Sequence, residues 1–238
     1  NSTSGLLLWM SHPAWPSMVW QIYSWDYETF GSFYGCRKAC EPIHIQKNLD
    51  DQKVVVVNTS LKEIKGAKVI YEVYSLEGKS LFKRTSKLNV LANGLTECFV
   101  QDKPISASGV YMERLILQDK RGKVISINDY WQDNGEGDFQ GFNALEEASI
   151  NCKLIRQEKS QIQIELQNTG AMPALALKLN VREADTDKRI LPAYASDGYF
   201  NLLPGEKRTV TVEYVSRGKV AISAEGYNLK RSRLLTLK

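Results

Sequence analysis

Histidine is nearly absent, with two in 238 residues, and cysteine is scarce, with four. So few cysteines exclude a disulfide-dense scaffold. Cys36 and Cys40 lie one helical turn apart, where a bridge is geometrically poor. Adding His44 to them gives three loosely spaced groups beyond a proline, so no metal site and no cofactor is expected. Core packing is the expected role of both thiols. No run approaches the roughly 20 apolar residues that span a bilayer, which excludes a membrane helix. The opening residues lack a basic region and a long apolar region, so no secretory signal is expected there. Charge of one sign is also lacking: the formal net charge is +4. The one tight basic cluster, Lys230-Arg231-Ser232-Arg233, reads as a solvated turn before a last strand, so no nucleic-acid partner is expected.

What is present is sharply divided. Four of the five tryptophans fall between Leu6 and Gln46. Leu6 to Met10 is a continuous apolar run, as in a strand buried on both faces. Two prolines in Ser11 to Pro16 exclude regular structure there. From Glu28 to Cys40 the period becomes helical, with Phe30, Phe33, Tyr34, Cys36 and Cys40 at spacings of three and four. Arg37 and Lys38 suit the helix C-terminus, and Pro42 ends it. Gly31 and Gly35 either precede the helix or permit close packing.

After Gln46 the pattern becomes short strands between turn signals. Val54–Val57, Ala67–Ser75, Ser80–Leu91, Leu95–Val100, Val110–Gln118 and Lys123–Trp131 make a first immunoglobulin-like sandwich. Asp119-Lys120-Arg121-Gly122 is a hairpin signal within it. A polar, glycine-rich loop at Asp133–Asp138 precedes its end near Glu147. A second set of strands follows. Ile162, Ile164 and Leu166 alternate with Gln161, Gln163 and Glu165, and Leu175 to Val181 and Val210 to Tyr214 do the same. Leu203-Pro204-Gly205-Glu206 supplies a turn.

Two stretches carry a family resemblance. The first is LLLWM, Leu6 to Met10, followed by AWPSMVWQIYSWDYETFGSFYGCRKACEPIHIQKN, Ala14 to Asn48. Its core is Tyr34-Gly35, Arg37, Ala39, then Glu41-Pro42-Ile43-His44-Ile45-Gln46. It resembles the end of the catalytic barrel of glycoside hydrolase family 2, in the branch of exo-β-D-glucosaminidases and mannosylglycoprotein endo-β-mannosidases. The second is ILPAYASDGYFNLLPGEKRTVTVEY, whose Asp197-Gly198-Tyr199 and Leu203-Pro204-Gly205-Glu206 resemble the terminal sandwich of that branch. The resemblance implies a mainly β chain: two immunoglobulin-like antiparallel β-sandwiches preceded by a βα remnant of a TIM barrel. The expected division is residues 1–43, 44–147 and 148–238.

The chemistry implied is hydrolysis of a β-mannoside or β-glucosaminide by a retaining mechanism. That mechanism uses two carboxyl groups about 5–5.5 Å apart. The resemblance places both catalytic glutamates upstream of Asn1, so no catalytic residue is expected here. Asp26 and Glu28 could form a local pair, but acidic residues are favoured at a helix start in any case. What remains is a sugar-binding rim, through which a carbohydrate substrate of the barrel would be met. Trp9, at the end of the implied strand, would face the ligand end of the barrel. Trp15, Trp20, Tyr23, Trp25, Asp26 and Tyr27 lie on the following loop, where aromatics and acids suit sugar or pack on a neighbouring domain. His12 could donate to a sugar hydroxyl or be structural. Asp197, Tyr199 and Asn201 could approach the barrel mouth or brace a turn. Ser11-His12-Pro13 stands where the glucosaminidases carry asparagines, which leaves the sugar open. The implied compartment is extracytoplasmic or lysosome- or vacuole-like. Without their barrel neighbours, residues 1–27 are expected to take a non-native path or to pair with another copy of the chain, with the helix keeping only partners from the first sandwich.

Overall fold

The computed structural model describes residues 5, 7–17, 21–101, 109–133, 135, 137–215 and 218–237. It forms two compact units. One is Arg37–Glu146; in the other, the residues up to Cys36 join Glu147–Lys238. The division falls inside the helix α1 (Gly31–Ala39).

The described residues of the first unit hold seven strands: β1 (Ile43–Lys47), β2 (Lys53–Asn58), β3 (Ile64–Ser75), β4 (Ser80–Val90), β5 (Gly94–Val100), β6 (Tyr111–Gln118) and β7 (Val124–Gln132). They pair antiparallel in two sheets, ordered β1-β2-β5 and β4-β3-β6-β7. Alternation along β3 sends Val69, Tyr71 and Val73 inward, where they meet Ile45, Val54, Val56, Leu115 and Leu117. The expected hairpin forms at Asp119: its carboxylate accepts from the amides of Arg121 and Lys123 at 2.8 and 2.9 Å, and Gly122 takes φ of 84°. Inside this unit Lys47 Nζ donates to both carboxylate oxygens of Glu113 at 2.9 Å, and their side chains are 2% and 1% exposed.

The second unit holds β8 (Ile150–Gln157), β9 (Gln161–Asn168), β10 (Ala174–Glu183), β11 (Ala193–Ala195), β12 (Phe200–Leu202), β13 (Lys207–Tyr214), β14 (Val220–Gly226) and β15 (Leu229–Leu237). The sheets run β11-β13-β9-β8 and β12-β10-β14-β15. The strict alternation of β9 puts Ile162, Ile164 and Leu166 in a core with Leu177, Leu202, Val210, Val212 and Ile222. Each such side chain contributes roughly 1.5–3 kcal/mol on burial. The buried members of the two cores come from residues 45–117 and 148–237, so each sandwich carries its own core.

Several expectations are corrected. Leu6 lies outside the described residues, and Leu7, Leu8, Trp9 and Met10 form no strand. No described strand pairs with them, and Leu7 and Trp9 are 96% and 79% exposed. The helix starts at Gly31, because Glu28 is drawn into ion pairs rather than into the first turn. A Cβ on Gly31 would meet Tyr199 at 3.5 Å, whereas Gly35 faces open space and needs no close packing. No α1 residue is buried; Cys40 is exposed and Cys36 half-buried, so neither thiol fills a core. The helix does not keep only to partners from the first sandwich: Tyr34 packs on the second core. The basic cluster is no turn: it lies in β15, where Lys230 pairs with Glu147 at 3.1 Å and Arg231 with Asp187 at 2.9 Å.

Candidate functional site: the aromatic hairpin and its seat

Residues Ile22 to Phe30 fold into a small irregular hairpin. Ser24 N donates to Glu28 O at 2.9 Å, Glu28 N returns to Ser24 Oγ at 3.0 Å, and Tyr27 turns the chain with φ of 65°. Tyr23 bridges to Thr29, and Tyr23 N reaches Ser11 O at 3.1 Å, which ties the proline-rich stretch to the hairpin. His12 stacks on Tyr27, with ring centroids 4.5 Å apart, and its Nε2 lies 3.2 Å from Trp25 O. The outward face carries Trp25 and Tyr27, 50% and 52% exposed, while Trp9 and Trp15 are freer still.

The opposite side is anionic and seated on the second sandwich. Asp26 pairs with Arg189 Nη2 at 2.8 Å and also accepts from Ser24 Oγ. Glu28 pairs with both Lys178 and Arg189. The Asp26, Glu28 and Lys178 side chains are only 16–17% exposed. Beside this clamp Tyr34 donates to or accepts from Thr29 Oγ1 at 3.0 Å and lies against Tyr199 and Phe33. Burial pushes the Tyr34 phenol above its ordinary range. Gly198 lies directly under the Tyr34 ring, where a Cβ would stand 2.7 Å from two ring carbons. A cleft of about 30 Å³ remains at the clamp, lined in part by Glu28, Thr29, Tyr34, Lys178, Asn180 and Arg189. That space fits a water molecule or two but no sugar ring.

The structure therefore sorts the residues singled out from sequence. Trp9 and Trp15 are exposed, and Trp20 lies outside the described residues. His12 braces the hairpin, and Tyr23 packs on Phe33 with centroids 5.1 Å apart. Asp26 and Glu28 are both engaged by cations. Asp197 pairs with Arg208 at 2.5 Å, Tyr199 backs Tyr34, and Asn201 Oδ1 accepts from Ala176 N at 3.1 Å. The aromatics near the N-terminus and the Asp197-Gly198-Tyr199 motif are thus brought together through Tyr34. Lys178 and Arg189 were not singled out, because their partners lie 150 or more positions away. Among the described residues no group of three or more His, Cys, Asp or Glu could hold a metal ion. No described helix is long and apolar enough to cross a membrane.

A second polar cluster lies in the first unit, at the Glu41-Pro42-Ile43-His44 stretch. Glu41 accepts from Lys38 at 2.7 Å and from Ser126 Oγ at 2.7 Å, with His44 Nδ1 at 3.2 Å. Burial alone would push its carboxyl up, but the bonds from His44, Lys38 and Ser126 outweigh burial and bring it down to about 2. His44 Nε2 lies 3.3 Å from Asn128 Nδ2, so this stretch pins β1 to β7.

Comparison with known proteins agrees with this architecture. The family of exo-β-D-glucosaminidase Ig-fold domains matches residues 128–229, and that of mannosidase Ig/CBM-like domains matches residues 50–134. An exo-β-D-glucosaminidase of Arthroderma benhamiae is 26% identical over 97% of this chain and 28% of its own length. A mannosylglycoprotein endo-β-mannosidase of Lilium longiflorum is 25% identical over 94% of this chain and 31% of its own length. The crystal structure of the exo-chitosanase CsxA of Amycolatopsis orientalis superposes with a TM-score of 0.87 at 26% identity, over 98% of this chain and 31% of that one. This chain thus spans less than a third of the length of these relatives. Residues 50–134 and 128–229 thus match the immunoglobulin-fold domains of the mannosidases and exo-β-D-glucosaminidases, the branch of glycoside hydrolase family 2 to which these relatives are similar.

Proposed function

We propose that this chain is the non-catalytic, accessory portion of a retaining β-glycoside hydrolase that acts on a β-glucosaminide or a β-mannoside. One observation carries the reading. The similarity to an exo-β-D-glucosaminidase covers 97% of the chain, so it extends across the opening segment that neither immunoglobulin-fold family covers. A free-standing binding module has no reason to share that segment. The two catalytic carboxyl groups are assigned to the polypeptide upstream of Asn1, because Asp26 and Glu28 are held by Lys178 and Arg189. The sugar-facing contribution of this chain is aromatic: Trp9, Trp15 and Trp25 are half or more exposed, and Tyr27, with His12 stacked on one face, is half exposed beside them, which suits contact with the apolar face of a pyranose. Asp26, Tyr23, Asp197 and Tyr199 act behind them as packing and ion-pair residues. Exposed Leu7, Leu8 and Met10 would be covered by the barrel or, in the isolated chain, by a second copy. We assign the parent enzyme to an extracytoplasmic or lysosome-like compartment and expect no nucleic-acid partner. The test is turnover of p-nitrophenyl β-D-glucosaminide and β-D-mannoside by the polypeptide extended upstream to a full barrel. Activity on one of them, abolished by replacing either of two strand-end glutamates, is expected. An extended enzyme inactive on both overturns the proposal.

A further inference from the structure

We propose that Lys178 and Arg189 are positioning residues: they hold the hairpin Ile22–Phe30, and with it the aromatic face of Trp25 and Tyr27, in one fixed arrangement on the second sandwich. The inference rests on the proposed function only where it calls that face sugar-binding. The hairpin has little of its own to hold it. Its backbone bonds are few: Ser24 N to Glu28 O at 2.9 Å, Tyr27 N to Ser24 O at 3.0 Å and Phe30 N to Ile22 O at 3.5 Å. An isolated two-stranded ribbon of this size is marginal in water. Trp25 and Tyr27 are half exposed and contribute little burial.

Besides the packing of Tyr23 on Phe33 and the hydrogen bond between Thr29 and Tyr34, what holds the hairpin on the sandwich is charge. Asp26 and Glu28 project to one side, and Lys178 and Arg189 answer them with two opposite charges. Three of the four side chains are more than four-fifths buried, so screening by salt is weaker than for exposed pairs, though Arg189 at 41% exposure keeps the clamp salt-sensitive. Lys178 stands on β10, whose register with β14 is continuous from Lys178 to Glu183, so the anchor itself is rigid. Its ammonium also lies 5.7 Å from the Tyr199 ring centroid, which links the clamp to the Tyr34 seat. Both partners of His12, the Tyr27 ring and the Trp25 carbonyl, belong to the hairpin. Displacing the hairpin therefore displaces His12 as well.

The test is amide hydrogen exchange on the full chain, resolved to Tyr23, Ser24, Tyr27 and Phe30. Lys178→Met with Arg189→Ala should lower protection at these amides by about tenfold or more, with Ile164 and Val210 of the second core unchanged. High salt should loosen the same amides in the parent chain and not in the variant. The charge exchange Glu28→Lys with Lys178→Glu should restore part of the protection that Lys178→Glu alone removes. This rescue separates pairing from a general loss of folding. Unchanged exchange at the hairpin in the double variant, or no rescue by the exchanged pair, overturns the proposal. A parallel titration with glucosamine and mannose oligosaccharides, read by tryptophan fluorescence, bears on the sugar face alone. If the parent chain binds neither while exchange follows the clamp, the positioning role stands and the sugar-binding assignment falls.

Discussion

Gly198→Ala provides a direct measure of how tightly the opening segment is seated. The added Cβ would stand 2.7 Å from Tyr34 Cε2 and Cζ and 3.0 Å from Cε1. Carbon atoms rest at about 3.5–4.0 Å, so close to 1 Å must be found. The backbone does not contribute to the cost, because φ at Gly198 lies outside the left-handed region. The ring is not free to yield. Its hydroxyl is tied to Thr29 Oγ1 at 3.0 Å, Phe33 and Tyr199 lie at centroid distances of 5.1 and 5.9 Å, and its inner side packs on the second core. Moving it forfeits a hydrogen bond worth about 1 kcal/mol net and part of the ring's packing. Together these give an expected destabilisation of roughly 1–3 kcal/mol. Denaturant unfolding of the parent, Gly198→Ala, Tyr34→Ala and the double variant forms a cycle. In the Tyr34→Ala background the same methyl should cost nothing or stabilise by a few tenths of a kcal/mol through the unfolded chain. A cost below about 0.5 kcal/mol in the parent, or an equal cost with Tyr34 removed, refutes the reasoning.

Other perturbations report on separate parts. Lys47→Met leaves the Glu113 carboxylate buried without its partner and should cost about 3–5 kcal/mol, with much of that recovered in Lys47→Met with Glu113→Leu; urea midpoints decide it. Glu41 titrates near 2 in the folded chain against 4.5 for a free glutamate, so its contribution is present above about pH 4.5 and is lost as pH falls through 2. Glu41→Gln should flatten acid unfolding of the first sandwich across that window, and an unchanged acid profile would contradict the network. Burial pushes the Cys98 and Cys152 thiols up to about 11, so at neutral pH they should react with a disulfide reagent far more slowly than exposed Cys40. Equal labelling rates would count against their burial. Deletion of residues 1–27 should leave both sandwiches folded, since no described residue among them belongs to either buried core; loss of the cooperative transition of either would place that segment in a core.

How much of this was legible in the sequence differs by element. The β9 alternation is explicit because one face of it is buried, and β6 and β7 fall within a residue of the expected bounds because a turn of Asp and Gly separates two apolar runs. Short strands such as β11 and β12, three residues each, offer too little periodicity to see. The apolar run at Leu7 to Met10 had the composition of a buried strand, but a strand exists only with a ladder partner. At the site, the aromatics and Asp197-Gly198-Tyr199 were visible as motifs. Their meeting through Tyr34 was not, because the sequence records no distance between Tyr34 and Gly198. Arg189 and Lys178 were invisible for the same reason: a lone cation gives no sign of a carboxylate more than a hundred residues earlier.

The most direct measurement of the central claim is hydrolysis by the chain itself. Incubated at high concentration with p-nitrophenyl β-D-glucosaminide and β-D-mannoside, it should release no more nitrophenol than buffer. It should do so across the acidic to neutral range, because its two neighbouring carboxylates are committed to Lys178 and Arg189. Reproducible turnover that disappears in Asp26→Asn or Glu28→Gln would place the catalytic pair inside this chain and contradict its assignment as the accessory portion.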